Sequence, residues 1–223
     1  MAISRISSAD SSNTTVAIGT HAKGDLILMF AYRDNSTSAI TLPAGWVSQH
    51  QSGSASHYAI AAWKLAETAS ETSGTWTNAS HLVCIVLRGG SGSIVLPRFM
   101  TVGTSTGATT HSFSAQTVNT FPTNSTDYAL IGWHANRSSA NSLEIKAPTG
   151  MTNISSATDG SNWQVAWHEQ LARTTVWTTT NVTVANSVAY RTYVIDVVEV
   201  PFNYSSGGSS SFRPVNIRGG ADQ

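Results

Sequence analysis

Charge, cysteine and long apolar runs are the scarce commodities of this 223-residue chain. A single cysteine, Cys84, cannot form a disulfide within the chain, so burial must hold the fold together. Charged residues make up 11%, well under the roughly 25% of ordinary soluble domains. Twelve Lys+Arg balance twelve Asp+Glu, and lysine occurs only as Lys23, Lys64 and Lys146. Without clustered cations no counterion release drives phosphate binding, so nucleic acid is not an expected partner. No apolar run approaches the roughly 20 residues that span a bilayer, and no membrane contact is expected. Met1-Ala2-Ile3-Ser4-Arg5 lacks the apolar stretch of a signal peptide. The expectation is a chain made in a cytoplasm and soluble there, which leaves by lysis or as part of a particle if it works outside a cell.

Reactive constellations are also missing. The seven histidines, His21, His50, His57, His81, His111, His134 and His168, show no H-x-x-x-H or H-x-H spacing. There is no G-x-S-x-G and no H-E-x-x-H. Arg88-Gly89-Gly90-Ser91-Gly92 follows a strand pattern, but no helix opens after it to cradle a phosphate. The sequence therefore nominates no catalytic residue, no metal ligand and no cofactor, and a non-enzymatic protein is expected.

What is present is a repeat. Asp25-Leu26-Ile27-Leu28, Pro43-Ala44-Gly45-Trp46 and Leu65-Ala66 return in order as Asp127-Tyr128-Ala129-Leu130, Pro148-Thr149-Gly150-Met151 and Leu171-Ala172. The offsets are 127 − 25 = 102, 148 − 43 = 105 and 171 − 65 = 106 residues, a drift that small loop insertions explain. Hydrophobic residues at 40% suffice for a core, and Ser, Thr, Asn and Gly take the place of charge. Thr also suits a half-buried pleat. Strands are predicted at 15–19, 25–32, 46–51, 57–65, 82–88 and 94–97, then at 111–117, 128–134, 151–155, 163–171 and 188–200. Residues 82–87, apolar on both faces, belong in a central strand; residues 61–72 are the one stretch that could pass for helix. The fold expected is all-β, a jelly-roll-like sandwich of antiparallel strands with an internal pseudo-repeat. It spans residues 1–202, in halves of about 10–100 and 101–202.

Residues 203–211 are Gly/Ser-rich linker by composition. The arm that follows carries Phe212, Val215 and Ile217 as apolar anchors and Arg213 and Arg218 as cations. Such an arm can add an extended segment to a neighbour. Among the seven tryptophans, Trp63, Trp133 and Trp167 fall within strand patterns and are expected in the core. Trp76 and Trp163 lie nearer loops, where an exposed indole could stack on a glycan. Asp25 and Asp127 each precede a strand, where pairing with Arg33 or Arg137, or capping of a turn, is expected.

Gly24-Asp25-Leu26-Ile27-Leu28, Pro43-Ala44-Gly45-Trp46, Ala62-Trp63-Lys64-Leu65-Ala66-Glu67 and Val86-Leu87-Arg88-Gly89 in this order resemble β-sandwich surface proteins of tailed bacteriophages. The resemblance covers about residues 10–200, with Trp63 standing where that family commonly has Tyr. It implies a structural or adhesive virion role and does not tell head from tail; the reading expected first is a capsid decoration or cement subunit, with the major capsid protein or other virion subunits as partners and a homo-oligomer as its state. The alternative is a tail-fibre or receptor-binding protein that recognises a host glycan through exposed Trp and Asn/Ser loops.

Overall fold

The computed structural model describes residues 2–36, 38–54, 57–115, 128–138, 146–172 and 177–201. It is all-β. The strands are β1 (Ser4–Ser11), β2 (Leu26–Asp34), β3 (Val47–Ser54), β4 (His57–Leu65) and β5 (His81–Arg88), then β6 (Ser93–Phe113), β7 (Tyr128–Asn136), β8 (Thr152–Thr158), β9 (Gln164–Gln170) and β10 (Thr180–Pro201). They form two antiparallel five-stranded sheets, ordered β1-β5-β2-β4-β3 and β6-β10-β7-β9-β8. Each half of the chain makes one sheet, and the two orders are identical once β6 to β10 replace β1 to β5.

The duplication extends to irregularities. β1 carries a bulge at Ile6 against β5, and β6 carries one at Arg98 against β10. β3 bulges at Gln49 against β4, and β8 bulges at Ile154 against β9. Both Pro-x-Gly turns return, with Gly45 at φ 84° and Gly150 at φ 87°, a region that glycine enters without steric cost. Register refines the sequence match at one place. Ile27 pairs with Lys64 and Val86, and Leu130 with the matching Gln170 and Asp196, so Leu26 corresponds to Ala129, one later than Tyr128. Leu26 and Ala129 both face the partner sheet, which the one-residue step preserves. The sandwich expectation holds. Its jelly-roll qualifier gains no support from a chain that completes one sheet before starting the other.

Between the sheets lie Leu26, Leu28 and Phe30 from β2, Val83 and Ile85 from β5, and their counterparts Ala129, Ile131, Trp133, Tyr193 and Ile195. Phe30 stacks on Trp133 at 5.9 Å, and Trp133 stacks on Tyr193 at 5.3 Å. These offset aromatic stacks tie β2 to β7 and β10. The outer face of the first sheet is buried as well, with Ile27, Met29, Ala31, Ile60, Leu82 and Cys84 covered by Val16, Ile40, Trp46 and Trp76. Burial on both faces is why β2 and β5 read as continuous apolar runs. Residues 61–65 are strand, as their second-half twin implied, and the helical alternative falls. Residues 15–19 form no strand; Val16 instead plugs the outer cover.

The second sheet covers its outer face differently. β6 and β10, at 21 and 22 residues, form a ribbon that outruns β7 and turns back over the sheet. Thr101 donates to the Ser114 carbonyl at 3.0 Å, and Ser114 donates to that of Val102 at 3.2 Å, fixing the return. A Cβ on Gly103 would lie 2.0 Å from the Ser112 carbonyl oxygen, so only glycine lets the ribbon close. The returning end places Phe113, Val182 and Val184, with Trp177 and Met151, on Leu130, Ala166 and Val194.

Candidate functional site

The residues that carry the phage resemblance meet at one end of the first sheet. Asp25 is 3% exposed and accepts two 2.7 Å bonds from Arg88, through Nε and Nη2. The Ala22 amide donates to the same carboxylate at 2.7 Å. The partner of Asp25 is thus Arg88 rather than Arg33 or Arg137, and the turn before β2 is capped as expected. Arg33 donates instead to the Asn78 carbonyl, and Arg137 pairs with Asp34 across the sheets. Asp127 lies outside the described residues. Lys64 sits 5.0 Å over the Trp46 ring and donates to Glu71 at 2.9 Å. This bond, with two backbone amides, draws the Glu71 carboxyl down to about 2 against the opposing effect of burial, so it stays charged. Trp46 and Trp76 pack edge to face at 5.2 Å, and both indoles donate to the Ser73 carbonyl. Motif by motif, the signature is a clasp.

Beside the clasp runs a groove of about 720 Å³, lined among others by Lys23, Val47, Trp63, Leu65, Glu67 and Ile94. Val47 is 49% exposed and Trp63 half-buried, which gives the groove an apolar floor between cationic and acidic side chains. Alternation had assigned Trp63 to the core with Trp133 and Trp167; those two are buried, but Trp63 reaches the surface where β4 ends. Ile94 pairs with Val200, and Ser93 with Pro201, so the end of β10 lies next to this groove. The arm residues Phe212, Arg213, Val215, Ile217 and Arg218 lie outside the described residues.

The two tryptophans proposed for glycan contact are not on the surface. Trp76 is 0% exposed, sealed by Trp46 and its bond to Ser73. Trp163 is 4% exposed and lies against His81 at 4.9 Å and Tyr32 at 6.2 Å. Proximity to a loop misled because both loops fold inward as covers. Asp159 gathers the amides of Ser161, Asn162 and Trp163, which locks the second loop down over the open edge.

A second cluster was invisible to spacing. His111 from the returning ribbon, His134 from β7 and His168 from β9 are each 0% exposed on the outer face of the second sheet. His111 Nδ1 and His134 Nε2 are 2.6 Å apart, and Tyr190 stacks on the His111 ring at 4.2 Å. His134 Nδ1 and both ring nitrogens of His168 have no hydrogen-bond partner among the described residues. By register, His134 takes the place of Ala31 and His168 that of Ala62. One repeat thus makes this layer apolar where the other makes it imidazole. Comparing the two halves strand by strand is the signal that could have found it. Burial lowers His111 to about 4 and His168 to about 3; burial, then the neighbouring His111 and His168, holds His134 well below the usual histidine value. Among the described residues no group of His, Cys, Asp or Glu is arranged to hold a metal ion. Cys84 is buried and its thiol is pushed up to about 12 by desolvation, away from nucleophilic chemistry. No described helix is long and apolar enough to cross a membrane. Compared with family models, curated proteins and solved structures, the chain matches none of them.

Proposed function

We propose that this protein is a non-enzymatic surface component of a tailed bacteriophage particle, a decoration or cement subunit on the capsid. The observation that carries the reading is the clasp. Asp25 pairs with Arg88 and Lys64 covers Trp46, so the residues that bear the resemblance serve as scaffold, as expected of a family that shares a framework rather than a reaction. Attachment is assigned to the arm, residues 212–218. Cementing needs area and multiplicity, since identical weak contacts sum over a symmetric shell. Full-length protein should co-sediment with particles lacking it, and a chain ending at residue 201 should not, while both melt at nearly the same temperature. Equal binding by the two forms would remove the arm from the account.

A receptor-binding role is the second reading, and Trp63 favours it: a half-buried indole flanked by Glu67 and Thr68 suits a sugar ring. Glycan-array binding lost in Trp63→Ala, with particle binding retained, would move the protein to the tail.

A further inference from the structure

The returning ribbon meets the second sheet through an imidazole pair whose proton count can be worked out. His111 Nε2 lies 3.2 Å from the Ala108 carbonyl oxygen, which can only accept, so Nε2 carries the proton. His111 Nδ1 is then a bare acceptor, and His134 Nε2–H donates to it across 2.6 Å. One proton sits on each ring. A second proton on either ring would set two N–H groups against each other or place a cation in a sealed layer.

Nothing described in that layer can neutralise such a cation. The titratable groups facing it are His111 from β6, His134 from β7, His168 from β9 and Tyr190 from β10, while β8 contributes Asn153, opposite His168. The nearest acid on the same face of β10 is Asp196, four residues beyond Thr192, the partner of His134, and it is paired with Arg98 at 2.6 Å. The returning residues 108–113 and 180–184 contain no charged side chain. At the corresponding positions the outer layer of the first sheet has Ala31 and Ala62.

We propose that the returned ribbon is an acid-released latch: the His111–His134 bond closes it at neutral pH, and protonation of these imidazoles opens it, uncovering Leu130, Ala166 and Val194. The inference is independent of the particle on which the protein sits. Opening would expose an apolar patch only in an acidified compartment or at an acidic surface, which gives the second sheet a conditional contact face. The low affinity of the closed cluster for protons is the thermodynamic counterpart of that opening.

Hydrogen–deuterium exchange on the full chain at pH 7.5 and 5.0, corrected for intrinsic rates, tests this. For a histidine moving from about 4 when closed to an ordinary value when open, the opening equilibrium at pH 5.0 should rise on the order of 30-fold. The rise is expected at residues 108–113 and 180–184, with the amides of β5 exchanging more slowly than those of the ribbon at both pH values. His111→Gln removes the titration behind that figure and should lower the rise, and with His134→Gln, which keeps the Nε donor, and His168→Ala added the response should be flat. His111→Gln alone, read as a smaller rise than wild type, provides the test should the combined variant not fold. A ribbon whose exchange ignores pH, variants that keep the wild-type response, or β5 amides exchanging at the ribbon's rate would each overturn the latch.

Discussion

The Asp25–Arg88 clasp makes an asymmetric prediction. The carboxylate is 3% exposed, whereas the Arg88 side chain is 42% exposed. Arg88→Met therefore strands a buried anion that keeps only the Ala22 amide, and breaking a buried pair in this way costs about 3–5 kcal/mol. Asp25→Asn instead leaves a guanidinium that can turn into water, so the loss is that of its charge-assisted bonds, about 1.5–3 kcal/mol. The double variant should be less damaging than the two single losses added together, because each single change includes the orphaning of the other partner. Urea titrations followed by tryptophan fluorescence give these differences directly. The reasoning fails if Asp25→Asn costs as much as Arg88→Met, or if both cost less than about 1 kcal/mol, the range of an exposed pair.

Other outcomes follow from the same packing. Trp76→Ala should cost about 3–5 kcal/mol in urea unfolding and leave any glycan binding untouched, since the indole is 0% exposed. Gly103→Ala should destabilise the chain by about 1–3 kcal/mol and raise exchange at residues 108–113, because its Cβ meets backbone at 2.0 Å. Cys84 should resist a thiol reagent in native buffer and react fully in denaturant; native labelling within minutes would contradict its burial. His57 and His81 are lowered to about 4, chiefly by burial. The unfolded chain therefore binds more protons below about pH 6.5, so stability is complete above that value and falls as pH drops toward 4. The slope is about 1.4 kcal/mol per pH unit for each histidine. A urea midpoint constant from pH 7 to 4.5 would refute this.

The repeat was readable because turns and apolar strands leave strong local marks. Pro43-Ala44-Gly45 and Pro148-Thr149-Gly150 need the same positive φ, and β4 follows the pattern from His57 to Leu65 without error. β1 left no such mark. Its residues Ser4 to Ser11 hold only Ile6 as a large apolar side chain, and Ile6 is the bulge, so pairing with β5 supplies the strand that propensity does not. The lengths of β6 and β10 were hidden for a similar reason: Thr and Ser along the ribbon read as loop until the partner strand is known. The groove and the imidazole layer are products of tertiary register. Trp63 looks like core from alternation, and His111, His134 and His168 are separated by whole strands, so neither site has a linear signature.

The central claim, that the protein stands on the outside of a phage particle, is tested most directly by immunogold labelling of intact particles from a producing lysate. Gold distributed regularly over the heads is the expected result. Particles without label, or label confined to fibre tips, would contradict the account.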